Sequence, residues 1–82
     1  ALFYLGHAYL ETHMYEEAIR TFEQYLPEYG KFALQARWYL GLSYLKAEKP
    51  QQAARYLEEV AATSETDPEA REYAAKAREL LH

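Results

Sequence analysis

Cysteine is absent from the 82 residues, which excludes disulfides, thiolate nucleophiles and cysteine-ligated zinc. That composition fits a cytoplasmic or a periplasmic setting. No stretch of lysine and arginine occurs, and 13 acidic residues outweigh 9 basic ones for a net charge of −4. Binding to nucleic acid or an anionic membrane depends on neutralising phosphates, so both are disfavoured as partners. No apolar run approaches the roughly 20 residues of a membrane span. Glycine and proline appear three times each, and no Gly/Ser linker or low-complexity segment breaks the chain. A Gly-rich phosphate loop and a nucleophile elbow are both missing. Aromatic residues, in contrast, make up 16% of the chain, nine of them tyrosine.

Those aromatics recur on a period. ALFYLGHAYL at Ala1–Leu10 returns as ARWYLGLSYL at Ala36–Leu45, thirty-five positions later. Ala18 matches Ala53, Arg20 matches Arg55, Phe22 matches Leu57 and Glu23 matches Glu58. Self-similarity at such a period marks one supersecondary unit stacked on its own copy. A unit of this kind buries its apolar face only by stacking.

Helical spacing predicts five helices. The first runs from about Ala1 to Thr12, with Leu2, Leu5, Gly6 and Tyr9 near one face. His13-Met14 is a turn. Tyr15 to Leu26 forms the second helix on a stripe of Ala18, Ile19, Phe22, Tyr25 and Leu26, with Glu16 and Arg20 placed to pair outside. Pro27 and Gly30 end it, the glycine suited to a left-handed turn. The third helix spans Lys31 to Ala47. Pro50 starts the fourth, which reaches about Ala62 with Ala53, Leu57, Val60 and Ala61 inside. Asp67 caps a fifth helix, Pro68 to Leu81, apolar only along Ala70, Ala74 and Ala77. A last helix with one small-residue face closes a stack. Ala1 opens directly on a helical pattern, so the chain reads as a piece of a longer protein.

The paired blocks resemble the tetratricopeptide repeat. Leu5-Gly6-x2-Tyr9 with Ala18-x3-Phe22, then Leu40-Gly41-x2-Tyr44 with Ala53-x3-Leu57, match that family's pattern over two repeats. The family's tryptophan place holds Leu2 and Arg37, and its closing proline place holds Gly30 and Glu65. The resemblance implies an all-α superhelix, right-handed, of two antiparallel helix pairs plus a closing helix. Repeat one covers 1–35, repeat two 36–66 and the closing helix 67–82. Gly6 and Gly41, lacking a Cβ, allow close approach of the paired helix, as do Ala18 and Ala53 from the other side. Tyr9, Tyr44, Phe22 and Leu57 act as wedges between hairpins.

The same resemblance implies a non-enzymatic scaffold that binds a protein or peptide, with no cofactor. In this family the first helix of each pair lines a concave groove. The corresponding residues here are Phe3, Tyr4, His7 and Glu11, then Gln35, Trp38, Tyr39, Leu42 and Lys46, then Tyr73 and Lys76. Trp38 is the expected central anchor, Phe3, Tyr39 and Leu42 the walls, and Lys46 and His7 the rim. Chaperone-binding members clamp a terminal carboxylate with lysine and asparagine, where this chain has Phe3, His7 and Tyr39. That clamp is missing, and an apolar or aromatic-anchored peptide suits the groove better. Two alternatives stand beside this reading. Phe3, Tyr39 and Tyr73 can stack on one another as ordinary core, or the stripe or the Ala1 edge can form a homodimer.

Metal and acid–base chemistry have little to work with. His7 and Glu11 lie one turn apart, with His13 projecting elsewhere, and zinc needs three or four converging ligands. Glu16-Glu17 and Glu58-Glu59 are adjacent pairs that point to different sides of a helix, so they are solvated charges and no catalytic residue is expected.

Overall fold

The computed structural model describes residues 2–27, 31–63 and 68–81. Five helices form: α1 (Leu2–Glu11), α2 (Tyr15–Gln24), α3 (Lys31–Lys46), α4 (Pro50–Ala61) and α5 (Pro68–Leu81). The expected ends of α1, α3 and α4 fall within one residue of these bounds. For α2 the expectation of Leu26 is corrected: Tyr25 has already left the helix at φ −109°, ψ 83°, its amide still bonded to the Thr21 carbonyl. Pro27 bars the α region to Leu26, and the break reaches one residue further back. The proposed Gly30 turn and Asp67 cap lie outside the described residues.

The two hairpins are built alike at atomic detail. In the first, the His13 amide donates to the Leu10 carbonyl (3.1 Å) and the Met14 amide to that of Tyr9 (2.8 Å). In the second, Glu48 donates to Leu45 (3.1 Å) and Lys49 to Tyr44 (2.8 Å). This is the paired bonding of a helix ended by a left-handed residue. His13 and Glu48 take that role at φ 63° and 62°, although neither is glycine. One turn has been used twice.

Packing within each hairpin turns on a glycine. A Cβ on Gly6 would lie 2.6 Å from the Phe22 ring, and one on Gly41 would lie 2.7 Å from Leu57 Cδ2. Phe22 and Leu57 are fully buried and thirty-five positions apart. α1 therefore meets α2 as closely as α3 meets α4, and both glycines serve as the sequence led one to expect.

Between hairpins, α2 lies on α3, and α5 covers both α3 and α4. One core gathers Ala18, Ile19, Phe22 and Leu40, and a second gathers Leu34, Trp38, Ala53, Leu57, Val60, Ala70 and Ala77. Tyr39 and Tyr44 pack against both. Tyr44 donates to Glu23 Oε2 (2.6 Å) and its ring stacks on Tyr56, centroids 5.8 Å apart. Arg78 Nε caps the end of α4 through the Ala61 carbonyl (3.1 Å).

Arg37 shows how a charged side chain replaces the expected tryptophan. Its Nη1 donates to the carbonyls of Pro27 (2.9 Å) and Ala33 (3.2 Å), and its Nε to Glu59 (2.8 Å). It thus ties the segment after α2 to α3 and α4. The Glu16–Arg20 pair does not form as expected: Arg20 pairs with Glu17, and Glu16 with Lys49 Nζ at 3.4 Å. Lys49 immediately precedes α4, so Glu16 links the two hairpins rather than one turn of α2.

Candidate functional site

Phe3 is the hub of the aromatic stripe. Its ring meets His7, Phe22, Tyr25, Phe32 and Tyr39 edge-on, at centroid distances from 4.8 to 6.3 Å. His7 also lies 4.1 Å from Tyr39. Tyr39 continues the line to Tyr73 at 6.3 Å, and Tyr73 lies 5.9 Å from Trp38. Edge-to-face rings are the favoured geometry, since the positive rim of one faces the negative face of the next. The line runs α1, α3, α5, so one helix of each unit contributes to it. Phe3, Tyr39 and Tyr73 therefore meet edge to face, each half-buried, rather than stacked as a closed core.

Individual residues depart from their expected places. Trp38, the expected open anchor, is only 7% exposed and belongs to the second core. The cause is α5: Tyr73 lies against the indole, and Ala70 and Ala77 join the same cluster. Tyr4 is 74% exposed and stands apart from the pocket described below. Leu42 is half-buried against the second core. Lys46 is exposed in the last turn of α3, outside that pocket. His7 is half-buried, and burial holds its pKa below the usual imidazole value against the opposing pull of Glu11. Its ring is therefore mainly neutral at pH 7 and does not supply the rim with a cation.

Trp38, Tyr39, Glu69, Glu72, Tyr73 and Lys76 enclose a pocket of about 210 Å³ between α3 and α5. Lys76 Nζ sits 3.3 Å from Glu72, and the buried Gln35 donates from Nε2 to Glu69 at 3.2 Å. Burial, with a hydrogen bond to Tyr39, pushes the Tyr73 hydroxyl up to about 12, so it stays protonated at neutral pH. The pocket thus has aromatic walls and a rim bearing both charge signs. Glu69 and Glu72 were not singled out in the sequence. The available signal was helical spacing, because 69, 72 and 76 share one side of α5 with Tyr73.

A shallower depression of about 330 Å³, lined by His13–Glu17 and Ala47, shares none of these residues. Among the described residues, no three His, Asp or Glu side chains converge on a common point that could hold a metal ion. No described helix is long and apolar enough to cross a membrane.

A family model described as tetratricopeptide repeat matches residues 3–68, and matches again over 40–81. No curated protein and no solved structure matches the chain significantly.

Proposed function

The chain belongs to the tetratricopeptide repeat family, a family of non-catalytic modules that generally mediate protein–protein interaction, and on that premise we propose that it binds a peptide segment of a partner protein across the α1–α3–α5 face. Phe3 and His7, Tyr39, Leu42 and Tyr73 form the floor, one side chain of the partner enters the α3–α5 pocket, and Lys46 lies at the margin. The observation that carries this reading is the pocket itself: about 210 Å³, walled by Trp38, Tyr39 and Tyr73 at positions that the repeat pattern assigns to the groove. Trp38 acts there as a wall, since it is already nearly covered, with Tyr73 of α5 against it. The entering group meets aromatic surface along its stem and Glu69, Glu72 or Lys76 at its head.

The test begins with peptides selected from a random display library, added to isotope-labelled protein. Binders are expected to shift the resonances of residues 38–42 and 72–76. Glu72→Lys, an exposed change that also breaks the pair with Lys76, is expected to weaken them at least tenfold while lowering the melting temperature by only a few degrees. Binders that shift only the outer sides of α2 and α4 would defeat the proposal.

A further inference from the structure

The α3–α5 pocket carries a charge sign as well as a shape. Its lining holds two carboxylates, Glu69 and Glu72, against one ammonium, Lys76, which leaves it one charge negative. The chain as a whole is acidic in the same sense, at −4. Glu72 and Lys76 meet at 3.3 Å, with side chains 66% and 50% exposed. Glu69 is placed differently. The buried Gln35 of α3 donates to it from Nε2 at 3.2 Å, so an amide fixed in one helix holds a carboxylate of the other. The remaining walls are Trp38, Tyr39 and Tyr73, the last inclined at 44° to the indole and at 71° to the Tyr39 ring. Rings inclined in this way wall a cavity in more than one direction. The face of an aromatic ring is negative, so it attracts a cation and repels an anion.

We infer that the α3–α5 pocket selects a cation, and that the side chain it seats is an arginine of the partner. The inference rests on the reading that this pocket takes one side chain of a bound peptide, and it decides which head group that is. A guanidinium is planar and weakly hydrated, so it lies against an aromatic face while its N–H fork reaches a carboxylate. Here the rings supply the face, and Glu69 and Glu72 the acceptors. An acidic head group would meet the same rings and Glu69 with the wrong sign. The ammonium it would need, that of Lys76, is engaged by Glu72. Lys76 has a second part to play. In the free protein it holds the Glu72 carboxylate that an arginine uses, so it competes with the ligand. Removing Lys76 therefore tightens the binding of arginine, whereas it would weaken the binding of an acid.

The probes are Nα-acetyl-arginine amide, its uncharged citrulline counterpart and Nα-acetyl-glutamate amide, each titrated into the isotope-labelled 82-residue chain. The arginine compound is expected to shift the Trp38 indole and the amides of 72–76, to bind about fivefold or more tighter than citrulline, and to weaken as salt is added. The glutamate compound is expected to leave these resonances in place. Glu72→Gln is expected to weaken arginine binding about threefold, and Lys76→Met to tighten it by about as much. Citrulline equal to arginine, glutamate seated in the pocket, weaker arginine binding in Lys76→Met, or no shift with any probe overturns the inference. Library peptides that enter the pocket through an acidic or apolar anchor overturn it as well, and leave the peptide reading whole. Arginine seated in the pocket while library peptides bind elsewhere does the reverse: the cation site stands and the peptide reading falls.

Discussion

Replacing Gly41 by alanine sets two known effects against each other. In a helix interior the change gains about 1 kcal/mol of propensity. Against this, the new Cβ would lie 2.7 Å from Leu57 Cδ2 and 2.8 Å from its Cγ, where carbon atoms prefer roughly 3.5–4.0 Å. Leu57 is 2% exposed, so any shift of its side chain has to be made within the core. Forcing an extra carbon into a packed core costs about 1–3 kcal/mol, with the upper half expected where the obstructing side chain is enclosed. The net expectation is a loss of about 1–2 kcal/mol, and a melting temperature lower by roughly 4–16 °C at the 4–8 °C per kcal/mol of a domain this size. Thermal and urea unfolding followed by circular dichroism measure it. Leu57→Ala alone should cost about 2–5 kcal/mol, and the double mutant should fall short of the sum by about 0.5–3 kcal/mol, because the new methyl fills part of the hole. If Gly41→Ala stabilises by the full propensity gain, or if the two changes add, the helices are not held apart by that contact and the reasoning fails.

Two further outcomes follow from buried rings. Trp38→Ala should cost about 3–5 kcal/mol, a large share of the roughly 4–12 kcal/mol available to a chain of this length, whereas Trp38→Phe should keep the fold; unchanged melting of the alanine variant would return Trp38 to the surface. Burial raises the pKa of Tyr44, Tyr56 and Tyr73, the last to about 12, with Glu23 reinforcing the first two. Unfolded tyrosines ionise near ~10, so above that pH the unfolded chain binds fewer protons than the native one. Stability is therefore whole below about pH 10 and falls as pH rises toward 12. Tyrosinate absorbance alongside urea midpoints checks this, and native titration of all nine tyrosines near pH 10 would contradict it.

Most of the fold could be read in the sequence because its determinants are local and occur twice. Gly6 with Phe22 and Gly41 with Leu57 are pairs that the resemblance to the repeat family puts between close helices, and the structure brings both together. The site was less legible, for reasons that can be assigned to particular residues. Tyr4 and Tyr39 are the same repeat position, yet one is exposed and the other lies among Phe3, His7 and Phe22. Only the presence of a neighbouring hairpin separates them, and no local pattern encodes that. The burial of Trp38 depends on where α5 lands, and α5 lacks the repeat signature that would have fixed its register. Arg37 at the tryptophan place finds three acceptors on three separate segments, which only the folded chain brings together.

The aromatic line has a consequence for how the face can bind. Burying a ring stabilises the fold once, and the same area cannot be counted again toward a ligand. Trp38 is nearly covered before any partner arrives, and Phe3, Tyr39 and Tyr73 already turn their edges into one another. Water still reaches the Glu72–Lys76 pair at the pocket mouth, with Lys46 beyond it. Partly solvated ion pairs contribute on the order of 1 kcal/mol or less each, and salt screens them. If the proposed peptide binding holds, affinity on this face would rest on one side chain seated in the α3–α5 pocket, with charged neighbours selecting its head group. A preorganised aromatic wall lowers the ordering cost of that step. On the proposed reading, the rings that hold α1, α3 and α5 in line would act on binding through rigidity, and selectivity would belong to α5, the helix that departs most from the repeat.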